Sequence, residues 1–288
     1  QEKVCRRTVR AYAKAMAHFA ALPVLKMWTM RLNLERVIAE TDSKTLQRHV
    51  QDLAARAEQR NSRQAVSKLC ELNPSGTLCF RHDPPLIFRF SEFQGKWLDH
   101  NMSMEEWNQE TYQLYLANSR PELQRLLSNF RLVDTAFKAV GVGSVGLRCA
   151  IGLWVDQTGD EVLVLQSKEA QPSVLAPYIN MPGPEHQGQR VVQGQRLMQT
   201  ASDPFLGWTT NLAGFQYYWR QFRDWKLSVN VAILDAEGLI DYGRLCGWTL
   251  AKAHARSGDR SAICNAIGSS KAFAATVLDQ AVWHGNQC

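Results

Sequence analysis

The sequence predicts an α+β protein, with a helical first half followed by a small antiparallel sheet and packed helices. Three observations predict it. Up to about residue 130, apolar residues recur mainly at helical spacing. From about Phe137 the period shortens to that of strands, and the chain then returns to helical texture in three later stretches. No internal repeat, low-complexity segment or long charged block interrupts this order.

Taken in order, Val9, Tyr12, Met16 and Phe19 mark one face of a first helix that Pro23 closes. Leu46, Val50, Leu53 and Ala57 mark another. Between Pro74 and Pro85 the texture changes, and two short apolar runs, Thr77–Phe80 and Leu86–Phe90, stand among Gly, Pro and Asp. Ser103-Met-Glu-Glu106 is a capping box ahead of Trp107, Leu114 and Tyr115. Pro121 suits the first turn of the next helix, whose face reads Leu123, Leu126, Leu127 and Phe130. Three strands are expected at Phe137–Gly143, Leu147–Val155 and Glu161–Gln166, the last two joined by a turn at Asp156–Asp160. Helices are expected at Gln187–Thr200, Leu239–Ala255 and Lys271–Val282, with one more strand at Gln216–Phe222. This suggests a mainly helical region over 1–134 and an α+β region over 135–288, or one continuous domain.

A chain of 288 residues can bury a substantial core, and 45% apolar with 21% charged residues is globular composition, not disorder. The excess of 33 Lys and Arg over 27 Asp and Glu favours anionic partners, but it is too mild and dispersed to imply nucleic acid. Seven cysteines without a CxxC pair or a histidine cluster argue against a disulfide framework or zinc site and for reduced thiols in a cytoplasm. No apolar run reaches the roughly 18 residues of a membrane helix, so no membrane partner is expected. The chain opens at Gln1 in helical texture, which suggests a piece of something longer.

The chemistry-bearing feature is Gly141-Val-Gly143-Ser-Val-Gly146. A dinucleotide-binding loop should run from strand into helix, yet Leu-Arg-Cys-Ala-Ile-Gly-Leu-Trp-Val follows, which is a strand pattern. Strand, glycine loop, strand is the layout of the protein-kinase glycine-rich loop, whose backbone N–H groups cover phosphates. That layout calls for a lysine on the next strand, and Val162-Leu-Val-Leu-Gln-Ser-Lys168 supplies it. Nucleotide-binding candidates are therefore Gly141, Gly143, Ser144, Gly146 and Lys168, and the second half is expected to resemble a protein-kinase-like nucleotide lobe. The bland alternative is a hairpin whose glycines serve a bend and whose Lys168 points to water. The helix that should carry a carboxylate for the lysine has no acid in Gly188–Arg196; Glu185 only precedes it.

Two further clusters stand out. Arg220, Arg223, Asp224 and Lys226 are dense enough to bind an anionic substrate, though a salt-bridged edge strand looks the same in sequence. His254 and Asp259 end a helical stretch. Asp259 is a candidate catalytic base with His254 beside it, but Asn265 lies one residue too far on for a kinase catalytic loop, and a histidine there also suits the helix dipole.

Several ordered motifs carry a family resemblance: Val140–Gly146, Leu165–Ala170, Gly188–Gln199, Ser202–Trp208 and Cys246–Asp259. With Ala11–Trp28 and Pro84–Pro85, they resemble the bacterial proteins of domain-of-unknown-function family 2252 over most of the chain. The resemblance implies that full-length members also carry upstream Gly-Asp-x-His-x-x-Asn and Asn-Asp-Phe-Asp segments. These look like the catalytic and metal loops of aminoglycoside-phosphotransferase-like kinases, with ATP and Mg²⁺ as cofactors. Neither segment occurs here, and at the other end Ala281–Cys288 replaces an expected acidic helix. The expectation is a fragment or truncated member of a phosphotransferase family that keeps a phosphate-binding loop and lysine, binds a nucleotide or other phosphorylated small molecule, and is inactive alone. The competing expectation is a non-catalytic binding or scaffold protein.

Overall fold

The computed structural model describes residues 1–31, 38–39, 41–59, 62–93, 102–139, 146–179, 183–222 and 229–287. They form an α+β protein, as the sequence predicts, in two compact units that interleave along the chain. The first comprises Gln1–Ala57, Arg196–Ala201 and Leu227–Cys288; the second comprises Glu58–Gln195 and Ser202–Lys226. Residues 134 and 135, where the sequence suggests a division, are consecutive positions inside one strand.

The first unit is helical: α1 (Glu2–Ala21), α2 (Val24–Thr29), α3 (Lys44–Gln59, its last residues beyond the unit's bound), α8 (Ala236–Ser257), α9 (Arg260–Ile267) and α10 (Ser270–Gly285). The principal contact is α1 on α8, and two glycines one turn apart make it close. A Cβ at Gly247 would stand 2.4 Å from the backbone oxygen of Thr8, and one at Gly243 2.3 Å from its Oγ1. Only a residue without a side chain lets the helices approach so closely. Ala15, Met16, Phe19, Met27, Ala251 and Ala255 fill the adjoining core. Lys252 is buried there; its ammonium donates to the carbonyl of Met27, and burial, with Arg256 nearby, holds its pKa below the ordinary lysine value. Asp241, also buried, accepts from the backbone N–H groups of Asp42 and Ser43 at 2.9 and 3.2 Å and so fixes the entry to α3.

The second unit holds α4 (Ser62–Leu69), β1 (Cys70–Leu72), β2 (Leu78–Phe80), β3 (Ile87–Arg89), α5 (Met104–Ala117), α6 (Pro121–Leu127), β4 (Phe130–Lys138), β5 (Cys149–Asp156), β6 (Val162–Glu169), α7 (Gln187–Met198, its end in the first unit), β7 (Gly207–Thr210) and β8 (Gln216–Gln221). β1 and β2 form a two-stranded ribbon; the main sheet is antiparallel throughout, in the order β3-β4-β5-β6-β8-β7. Alternation along β5 and β6 sends Trp154, Leu163 and Leu165 to one face, where Tyr112, Tyr115, Leu123 and Leu127 of α5 and α6 cover them. Ile151, Leu153 and Val164 go to the other, against Leu69, Cys70 and Phe80. With both faces buried, the strands read as apolar runs rather than alternating ones.

The capping box at Ser103 and Glu106 forms as expected, and Pro121 opens α6. Elsewhere the boundaries move. Phe130 is not on a helix face; it starts β4, seven residues ahead of the expected strand, and Leu126 is exposed at 42%. α2, α4, β1, β7 and α9 are additional to the expected elements. β7 is four residues long with polar Thr at two of them, and α9 is a two-turn helix capped by Asp259; neither is long enough to show a period.

Candidate functional site

β4 and β5 are antiparallel neighbours, and the glycine segment is the connection between them. Gly141, Gly143 and Ser144 lie outside the described residues. Gly146 has φ 81°, in the left-handed region that glycine enters without penalty, and β5 starts three residues later at Cys149. No helix begins at Gly146, so the strand–glycine–strand order expected from the sequence is the order observed.

β6 returns antiparallel to β5, with Lys168 level with Cys149. Partners in such a ladder have Cα atoms about 5 Å apart. Lys168 therefore stands beside the point where the glycine connection enters the sheet. On its other side it is level with Tyr218 of β8, while Gln166, two residues back, is level with Arg220. Lys168, Gln166, Tyr218 and Arg220 consequently share one face, and Arg220 is a diagonal neighbour of Lys168. Sequence reading treats Arg220 as part of a separate cluster; the β6–β8 register joins the two. Arg223, Asp224 and Lys226 lie outside the described residues.

Lys168 is half-buried, and among the described residues its ammonium has no hydrogen-bond or ion-pair partner. The following helix α7 carries no acid, and Glu185 ahead of it is exposed. The carboxylate next to Lys168 in sequence, Glu169, faces the opposite side of the sheet by strand alternation. There Glu169 accepts from the Arg148 backbone N–H at 3.1 Å, from Arg148 Nη1 at 2.9 Å and from Gln171 Nε2 at 3.2 Å. Burial alone would raise its pKa, but these hydrogen bonds and the guanidinium charge outweigh it and hold the carboxyl below the ordinary glutamate value. The Arg148 guanidinium also lies 3.7 Å from the centre of the Phe215 ring. This clamp pins the exit of the glycine connection to the end of the lysine strand. Sequence reading misses it, because Arg148 and Glu169 meet only through the register of two strands.

Gln166 is 5% exposed, and among the described residues its Nε2 has no hydrogen-bond partner. A cleft of about 480 Å³ opens elsewhere in this unit, lined by Glu105, Glu106, Glu110 and Asp134 among others. Its carboxylates disfavour phosphate, and two are already engaged. Glu106 closes the capping box, and Asp134 accepts from the Phe80 N–H at 2.7 Å and Arg89 Nε at 3.1 Å.

The remaining candidates belong to the first unit. Asp259 is exposed and caps α9, its Oδ1 accepting from the N–H groups of Ser261 and Ala262 at 2.9 and 3.0 Å. His254 is partly buried near the end of α8, with Nδ1 2.8 Å from the Tyr12 hydroxyl. Burial raises the pKa of that tyrosine and keeps it a neutral phenol. Both side chains are thus engaged in helix capping and helix packing.

At the Lys168 end of the sheet, an ammonium with no partner among the described residues and the Arg220 guanidinium on the same face suit phosphate oxygens. Among the described residues no group of three or more His, Cys, Asp or Glu could hold a metal ion. All six described cysteines are free thiols. No described helix is long and apolar enough to cross a membrane.

The fold and site define an α+β protein built on an antiparallel sheet, with a glycine connection meeting a lysine strand at one end. The chain belongs to the family of uncharacterised proteins conserved in bacteria designated DUF2252, which matches residues 1–288. Neither the curated proteins nor the solved structures provide a match.

Proposed function

We propose that the sheet unit supplies the phosphate-binding part of a kinase-like phosphotransferase site, with a nucleotide as the ligand. The observation that carries this reading is the register of Lys168 with Cys149, three residues after Gly146. In protein kinases a glycine-rich loop covers the phosphates, and a lysine on the third strand contacts them ahead of the next helix. The order β4, glycine connection, β5, β6 with its lysine, then α7 repeats that plan. Lys168 places a positive charge on a rigid strand beside backbone that can approach a phosphate closely, and Arg220 adds a second charge on the same face. The nucleotide reading also places the protein in the cytoplasm, where nucleoside triphosphates are available.

The chemistry supplied by these residues is binding and orientation. One ammonium and a few backbone N–H groups hold a triphosphate loosely, with Kd on the order of 1 mM. Amide hydrogen exchange during ATP titration tests this on the wild type, Lys168→Ala and Gly143→Val. Protection confined to residues 139–149 and the end of β6, and lost in both variants, is the expected result. Protection elsewhere, or equal responses in all three proteins, would leave a structural hairpin and favour the scaffold reading.

A further inference from the structure

α1 presents two unlike surfaces. Its inner side buries Val9, Ala13, Met16 and Phe19. Between residues 3 and 14 its exposed positions are Lys3, Arg7, Arg10 and Lys14. Steps of four, three and four keep them in one line along the helix, and His18 continues it. All four are cations. Only Lys3 has an acidic neighbour, Glu237 at 3.4 Å; among the described residues Arg7, Arg10 and Lys14 have none. At 1.5 Å per residue the four span about 16 Å. Glu2 stands exposed ahead of the row, and from Arg7 to Lys14 the row carries positive charge alone.

After Pro23 the chain enters α2, which turns Met27 inward and leaves Val24 56%, Leu25 79% and Trp28 38% exposed. Arg256 holds this region in place, donating to the Trp28 carbonyl and lying over its ring. Large apolar side chains thus stand in solvent directly after the basic row.

We propose that α1 and α2 form a peripheral docking surface for anionic lipid headgroups. The exposed apolar side chains that follow the cations favour this partner over nucleic acid, whose phosphate backbone offers Val24 and Leu25 nothing. Val4, Thr8, Ala11 and Tyr12 on the flanks of α1 are partly buried, and α8 packs against it through Thr8. A helix set into its unit touches a flat surface along one line, and that line is where the cations stand. The apolar residues of α2 suit the same flat partner, since Trp and aliphatic side chains favour the headgroup boundary. Such adsorption requires no membrane-spanning helix.

The test is co-sedimentation of the full chain with vesicles of phosphatidylcholine alone and of an equimolar phosphatidylcholine–phosphatidylserine mixture. Binding to the mixed vesicles only, weakening as salt is raised, is expected. Each cation near an anionic leaflet strengthens binding roughly fivefold, so the triple variant Arg7→Glu, Arg10→Glu, Lys14→Glu should bind at least about a hundredfold more weakly. Leu25→Ser should weaken binding while leaving its salt dependence unchanged. All four positions are exposed, so circular dichroism should report an intact fold. Equal binding to neutral vesicles, or wild-type binding by the triple variant, would overturn the proposal. So would a preference for duplex DNA that the triple variant abolishes, which would reassign the row to a phosphate backbone.

Discussion

Lys168 and Cys149 face each other across β6 and β5, so the lysine is level with the first strand residue after the glycine connection. A lysine at another register of β6 would sit among Leu163, Val164 and Leu165, which are all buried. At position 168 it is half-buried, and among the described residues its ammonium has no partner. Lys168→Ala should therefore change unfolding free energy by less than about 0.5 kcal/mol, while removing the ATP-dependent protection proposed above. Urea unfolding of the variant checks the first half. A large loss of stability would show that the lysine serves the fold and not a ligand.

The α1–α8 contact gives a sharper stability prediction. At Gly247 a methyl group would collide with the Thr8 backbone oxygen, and backbone on both helices must shift to admit it. Gly247→Ala should cost about 2 to 3 kcal/mol, the range of overpacking in a tight interior. Gly194 in α7 has nothing within 4 Å of its Cβ position, so Gly194→Ala should gain up to about 1 kcal/mol from helix propensity. Paired denaturation curves decide it: the two glycine-to-alanine changes must move the midpoint in opposite directions.

Much of this architecture is legible in the sequence, for identifiable reasons. Long helices with one buried face, such as α1 and α8, announce themselves by period. The Ser103 capping box and the Asp156–Asp160 turn are written in local chemistry that tertiary context did not override. β4 is the instructive failure. Leu123, Leu127 and Phe130 keep a helical spacing by coincidence, because α6 ends at Leu127 and Phe130 already belongs to the strand. The lysine strand is visible as a run of apolar residues ending in Lys168. Its neighbours are not visible: Arg220 next to Lys168, and Arg148 on Glu169, are products of strand register, which no single segment encodes.

The Arg148–Glu169 clamp predicts a pH dependence. The pKa of Glu169 is lowered in the folded state from its ordinary 4.5. A depressed carboxyl pKa adds stability that is fully present above the unfolded value and disappears as pH falls through the folded one. Glu169→Gln should thus be less stable than wild type at neutral pH by about 2 kcal/mol, as expected for hydrogen bonds to a charged group. The gap should shrink progressively below pH 4.5. Thermal melts of both proteins across acid pH measure it; a gap independent of pH would assign the stabilisation to shape rather than charge.

Gln166 supplies the last prediction. Its carboxamide lies on the same sheet face as Lys168 and Arg220, yet it is 5% exposed and among the described residues its Nε2 has no acceptor. A buried donor without an acceptor costs about 1 to 3 kcal/mol relative to one that remains hydrated. Methionine has nearly the same length and flexibility and no polar nitrogen, so it can fill the space without that cost. Gln166→Met should raise unfolding free energy by about 1 kcal/mol, and should leave the ATP-dependent protection of residues 139–149 as in wild type, because the proposed phosphate contacts belong to Lys168 and the backbone. Urea denaturation and exchange on the same variant separate the two halves of this statement. A loss of stability would mean that the amide has an acceptor beyond the described residues. Unchanged stability with lost protection would make Gln166 part of the ligand site itself.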